Sequence, residues 1–194
     1  MVTLLLDSSF RGLAVGLADD HQIIDEIRYD AWQRQSELLV PELDHLLKRN
    51  HLTRDDIQDV MVSIGPGSYT GIRIALTVAK VTSFALNIPL YAVSSLQILK
   101  VEEKPTIVVI NARSGRSYVG VYQGAKTLLS DCVMTNEGVL DYCNEHPDYL
   151  IGGDAAHLNL EAIPVDPLAE MFGLKASLTP VKEKLGLTPV YLKD

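Results

Sequence analysis

The stretch Gly65-Pro66-Gly67-Ser68-Tyr69-Thr70-Gly71-Ile72-Arg73 constrains this chain more than any other. It follows a short apolar run, Val60 to Ile64, and opens into a long one, Ile72 to Leu86. A strand, a glycine-rich turn and a helix in that order gather unpartnered backbone N–H groups at one point, which is the local requirement for holding an anion. Glycine also lets the backbone approach a ligand closely. Neither standard phosphate motif is present. A Walker A loop needs Gly-Lys where Thr70-Gly71 stand, and the dinucleotide pattern that starts at Gly65 and Gly67 fails at Thr70. Two readings stay open on these residues: an anion cradle, or a tight strand-to-helix turn capped by Ser68 or Thr70.

Around this turn the chain alternates sheet and helix. Val2–Leu6, Leu13–Leu17 and Ile23–Tyr29 read as three short strands with links brief enough to make them antiparallel. A helix follows from Ser36, with Leu39, Val40, Leu43, Leu46 and Leu47 as its apolar stripe; Pro41 means that it either kinks or begins near Val40. After the helix of residues 72–86, Leu90–Val93 is a strand and Ser94 caps a helix reaching about Lys100. Glu102-Glu103-Lys104-Pro105 is the best internal boundary. Beyond it the strand pattern restarts at Thr106–Ile110, Ser117–Tyr122 and Lys126–Asp131, followed by a helix from Thr135 to His146, a strand at 149–151 and a short helix near Asp166–Leu174. Strands first and helices after, in both halves, predict two α/β lobes of related design. The expected domains are 1–102 and a smaller 103–194, with the alternative that the last helix returns to the first lobe.

The helix of residues 72–86 is apolar almost all round, with Arg73 and Lys80 as its only charges. Such a helix is buried on more than one side. Either it is a plain core helix, or one side faces a partner that approaches closely over Ala75, Ala79 and Ser83.

Several chemistries find no support. The five histidines are never three or four residues apart, so no helical metal pair exists. Ser68 has no flanking base, and no nucleophile elbow is present. Asp7-Ser8-Ser9 after the first strand is either a metal or phosphate contact or a turn that satisfies its own backbone. Arg113 and Arg116 flank a hairpin glycine and are read as phosphate contacts or a solvated turn. Cys132 and Cys143 fit neither a metal pair nor a disulfide framework. A net charge of −8 argues against a stand-alone nucleic-acid binder, though not against a subunit of a complex in which another chain holds the RNA. No apolar run approaches a membrane span, and the N-terminal run meets Asp7 too soon for a leader, so a cytoplasmic setting is expected.

Taken in order, Leu4-x-Leu6-Asp7-x-Ser9, Ser36-Glu37-Leu38 with Pro41, the glycine-rich string ending in Arg73, Val93-Ser94-Ser95-Leu96, Asn111-Ala112-Arg113 and Pro189-Val190-Tyr191-Leu192-Lys193 resemble the TsaB (YeaZ) family of the glycoprotease-like, TsaD-related superfamily. The resemblance spans nearly the whole chain. It implies an actin-like ATPase, sugar-kinase-like fold of two ribonuclease-H-like lobes. It implies a non-catalytic subunit that dimerises with and activates TsaD, which forms threonylcarbamoyladenosine next to the anticodon of tRNA. TsaE is a further implied partner, a homodimer is implied where TsaD is absent, and tRNA is reached only through the complex. No cofactor or metal of the chain's own is implied, with ATP or ADP bound in the complex. An independent sugar-kinase-like ATP-dependent enzyme is the alternative, and a glycoprotease a remote one.

The implied partner face lies on helices 36–50 and 72–86, with Leu39, Leu43, Leu46, Ile72, Ala75, Leu76, Ala79 and Ser83 as its candidate residues. Candidate nucleotide contacts are Asp7, Ser8, Ser9, Gly65, Gly67, Ser68 and Thr70. The chain departs from the family pattern at Gln35, Tyr69, Asn111 and Arg116, which weakens a nucleotide role for Asp7 or Asn111 and leaves the scaffold intact.

Overall fold

Three leucines in a row, Leu4, Leu5 and Leu6, are all fully buried, because the sheet they belong to is covered on both faces. The computed structural model describes residues 2–10, 12–31, 33–101 and 103–192; Met1, Glu102 at the expected boundary and Lys193 of the terminal motif lie outside the described residues. Strand β1 (Val2–Asp7) pairs antiparallel with β2 (Gly12–Ala18), which pairs antiparallel with β3 (Ile23–Asp30). On the other side of β1 lie β4 (Ile57–Ser63) and β5 (Leu90–Val93), both parallel. The order is therefore β3-β2-β1-β4-β5. The second sheet repeats the first four positions, with β6 (Thr106–Arg113), β7 (Arg116–Gln123), β8 (Lys126–Thr135) and β9 (Leu150–Gly153) in the order β8-β7-β6-β9. Three antiparallel strands with parallel strands added beside the first make a ribonuclease-H-like lobe. Two such lobes in tandem give the actin-like ATPase, sugar-kinase-like architecture.

Side-chain alternation along β1 assigns the two faces. Leu4 and Leu6 pack under helices α1 (Gln35–Arg49) and α2 (Tyr69–Ala85), with Leu39, Leu46, Ala75, Leu76 and Ala79. Leu5 and Met61 face the opposite way and meet Leu168 and Met171 of α4 (Pro167–Leu174). Helix α4 thus lies on the first sheet. Buried ion pairs fix it there: Lys100 to Glu170, and Lys175 Nζ to Asp59 at 2.7 Å. Helix α3 (Asn136–Glu145), capped by Thr135, covers the second sheet through Val139.

The lobes are joined through the segment after β5. Leu96 and Leu99 pack with Val108, Ile110 and Tyr122 of the second sheet. Asp131 accepts hydrogen bonds from Tyr122 of its own lobe and Ser94 of the other. Burial, and then the charge of Asp131, push the Tyr122 hydroxyl well above the usual phenol range.

Local sequence signals resolve into specific caps. Thr53 and Asp56 form a capped turn before β4, the Thr53 amide donating to Asp56 at 2.7 Å. Helix α1 runs from Gln35 straight through Pro41 and does not start at Val40. The segment after Ser94 is shorter than expected: Ser94 Oγ accepts from Leu96 and Gln97, but only a single 3-10 turn forms at Gln97–Leu99.

Candidate functional site

The glycine-rich turn is pressed against Asp7-Ser8-Ser9, and the two lock each other. Ser8 Oγ donates to the Gly71 carbonyl at 2.6 Å, and the Ser68 amide donates to the Ser9 carbonyl at 2.6 Å. A Cβ on Gly67 would lie 2.2 Å from the Ser9 oxygen, and one on Gly71 only 1.9 Å from the Ser8 oxygen. Gly67 also has φ of 154°, a region that favours glycine. Ser68 caps α2 through its hydroxyl, which accepts from the Gly71 amide at 3.2 Å; Thr70 is already in the helix. The Gly65 amide donates to Ser95 Oγ at 2.9 Å.

These contacts support the reading of a tight strand-to-helix turn capped by Ser68. Ser8 and Ser9 are buried, the Ser8 hydroxyl and the Ser9 carbonyl bond to the turn, and Gly65 bonds to Ser95, so the turn is a structural lock, while Ser9 also lines the cleft between the lobes. Thr70 is exposed, on the outer side with Tyr69. Asp7 is different. Its Oδ1 accepts from Ser63 Oγ and the Ser9 amide, while its side chain borders a cleft of about 300 Å³ between the lobes. Phe10, Arg28, Ile110, Gly153 and Asp154 line the same cleft. Arg28 is paired with Asp166 at 3.1 Å, so the two carboxylates Asp7 and Asp154 are not offset by an uncommitted cation among the described lining residues. Glu26 beside it is held above the usual carboxylate range by burial and then by the charge of Asp166. No cluster of three His, Cys, Asp or Glu side chains able to hold a metal occurs among the described residues. A serine–histidine contact exists, Ser117 Oγ to His157 Nε2 at 2.8 Å, but Ser117 is fully buried inside the second lobe.

The candidate partner residues need the larger correction. Leu39, Leu46, Ile72, Ala75, Ala79 and Ser83 are 0% exposed and Leu76 is 3% exposed; only Leu43 is partly open. They form the core between the helix pair and the sheet, and cannot touch another chain. The outward face of the same helices is the complementary set. On α2 it is the stripe Arg73, Thr77, Val81 and Phe84, spaced at helical intervals; on α1 it includes Ser36 and Val40. Val40, Val81 and Phe84 are 55%, 60% and 63% exposed, high for large apolar side chains. A shallow groove of about 410 Å³ runs along this face, walled by Ser36, Tyr69, Arg73, Thr77 and Val78.

Sequence reasoning did not connect Tyr191 of the terminal motif with this face. Tyr191 stacks on Tyr69, with ring centres 5.1 Å apart, and the Arg73 guanidinium lies 4.6 Å over the same Tyr69 ring. The aromatic at 69 and the tyrosine near the C-terminus were both visible, but nothing local links residues so far apart in the chain.

The family model described as TsaD, tRNA N6-adenosine threonylcarbamoyltransferase, matches residues 29–157. A protein of Bacillus subtilis named tRNA threonylcarbamoyladenosine biosynthesis protein TsaB is 33% identical over 137 residues, covering 69% of this chain and 60% of the relative. A Buchnera aphidicola protein of the same name is 36% identical over 97 residues, covering 47% of this chain and 46% of the relative. The chain therefore spans about half to three fifths of the length of these two relatives. The solved structure of YeaZ from Pseudomonas aeruginosa superposes with a TM-score of 0.78 over 98% of this chain and 99% of that one, at 24% identity, and so shares its fold.

Proposed function

Because this chain belongs to the TsaB (YeaZ) family of the TsaD-related superfamily, we propose that it is a non-catalytic subunit that pairs with a TsaD-type subunit and activates threonylcarbamoyl transfer to tRNA. The observation that carries the reading is the outer stripe of α1 and α2. Val40, Val81 and Phe84 stand exposed on neighbouring helices of a chain with net charge −8. Exposed apolar side chains gathered on one face mark an interaction surface. Burying each large apolar side chain stabilises a complex by about 1.5–3 kcal/mol. The helix pair would thus dock as two ridges of a helix bundle across the interface.

The same face explains an expected homodimer when the TsaD-type subunit is absent, since an apolar patch left open favours a second copy. TsaE and tRNA join through the complex, in the cytoplasm. ATP or ADP, where one enters, is held by the complex; this chain's interlobe cleft presents two carboxylates, Asp7 and Asp154, beside Ser9, and its glycine-rich turn is locked against Ser8. The same lock argues against an independent sugar-kinase-like enzyme, and the burial of Ser117 against a protease.

Sedimentation of the chain with and without a purified TsaD-type subunit tests this. Val81→Glu should weaken both self-association and subunit binding by about tenfold or more, because it removes apolar burial and adds a carboxylate to desolvate. Ala75 and Ala79 are not usable for this purpose, since a charge there enters the core. A folded Val81→Glu chain that pairs normally, or micromolar binding of labelled ATP to the chain alone, contradicts the reading.

A further inference from the structure

Residues 181–192 run back along the whole of α2, in the opposite direction. The Val181 amide donates to Leu90 O of β5 at 2.8 Å. Lys184 Nζ then reaches Ile88 O at 2.7 Å, just past the C-terminal end of α2. Lys80 Nζ, midway along the helix, donates to Leu187 O at 2.9 Å, and the side chain of Leu187 packs against the first-lobe core. At the helix start the Val190 amide donates to Ile64 O at 2.8 Å, and Tyr191 completes the stack on Tyr69. The terminal segment is thus a strap on one flank of α2, while α1 takes the other.

The strap leaves Leu185 exposed at 58%, between Lys184, anchored on the Ser83 and Ile88 carbonyls, and Leu187, anchored by Lys80, which sets it level with the C-terminal turns of α2, the turns that carry Val81 and Phe84. At the other end Tyr191, 43% exposed, extends the aromatic wall of the groove. The family model matches residues 29–157, which include α1 and α2 but not the strap. A TsaD-type chain therefore carries the equivalent helix pair, and two such pairs can meet about a pseudo-twofold axis. The strap adds to that shared face a contact from outside the shared stretch.

We propose that the strap is the third element of the partner face, and that Leu185 contacts the TsaD-type subunit together with Val81 and Phe84. This rests on the partner reading above. The test is the dissociation constant for a purified TsaD-type subunit, measured by biolayer interferometry for the full chain and for Leu185→Asp, Leu185→Ala and Val81→Glu. Leu185→Asp should bind at least about tenfold more weakly and Leu185→Ala about threefold more weakly, with melting temperatures unchanged because the side chain is exposed. If Val81→Glu loses binding while Leu185→Asp binds like the unmodified chain, the strap inference is overturned and the partner reading stands. If both bind normally, the partner reading itself fails and the strap proposal with it. Hydrogen exchange on the unmodified chain needs no variant: slower exchange at residues 184–187 on adding the subunit supports the contact, and unchanged exchange there overturns it.

Discussion

Gly71→Ala should destabilise the chain by about 3 kcal/mol, lowering the melting temperature by about 6–12 °C. Helix propensity alone points the other way, since alanine inside a helix is favoured over glycine by about 1 kcal/mol. Packing decides the sign. The added methyl would sit 1.9 Å from the Ser8 carbonyl oxygen, and that oxygen is backbone in a turn held by Ser8 Oγ to Gly71 O and Ser68 N to Ser9 O. Neither side can give way without opening the lock between the two halves of the turn. Gly173→Ala is the control, because nothing lies within 4 Å of its Cβ position in α4. It should be neutral or stabilising by up to about 1 kcal/mol. Thermal or urea melts of both variants check the pair, and a Gly71→Ala chain as stable as Gly173→Ala contradicts the lock.

Glu170→Ala should cost about 3–5 kcal/mol. It leaves the Lys100 ammonium, whose side chain is 5% exposed, without its carboxylate in the junction between α4 and the segment after β5. The penalty comes from a stranded charge rather than from a lost attraction. Accordingly the double variant Lys100→Met with Glu170→Leu should recover most of the stability, because well-packed apolar pairs commonly match buried ion pairs. Urea unfolding distinguishes the two cases. A single variant within about 1 kcal/mol of the unmodified chain would show that water reaches Lys100 and relieves it.

The sheet architecture was legible because its signals are local. The apolar run Val2–Leu6, short turns and the punctuation at Pro105 carry the strands themselves and the antiparallel links of the first three, though not the parallel placing of β4, β5 and β9, and Ser68 and Thr135 announce their helix starts as caps. The faces of α2 were not legible. A helix apolar all round gives no direction, so small residues at 75, 79 and 83 read as a docking stripe when they are the residues that let the helix settle onto the sheet and α1. The outer stripe is marked only by being what the core leaves over. Nor was the strap: its anchors are backbone groups and lysine-to-carbonyl bonds, such as Lys80 to Leu187, whose partners stand 107 residues apart, and its own residues show no period. For the turn, the sequence offered cradle and cap equally; the Ser68 bond to the Gly71 amide shows the cap, and the positions of Ser8 O and Ser9 O explain the glycines.

On the proposed function, this chain contributes no chemistry and acts through the face that carries Phe84. The most direct measurement is threonylcarbamoyl transfer to tRNA by a purified TsaD-type subunit supplied with the threonylcarbamoyl-adenylate donor. It is run alone, with this chain, and with a folded Phe84→Glu variant, beside a reaction holding this chain without the subunit. The account predicts transfer only when the subunit and the unmodified chain are both present, and a rate about tenfold or more lower with Phe84→Glu at limiting concentration. Transfer by this chain alone, or full activity of the subunit with Phe84→Glu or with no added chain, would contradict it.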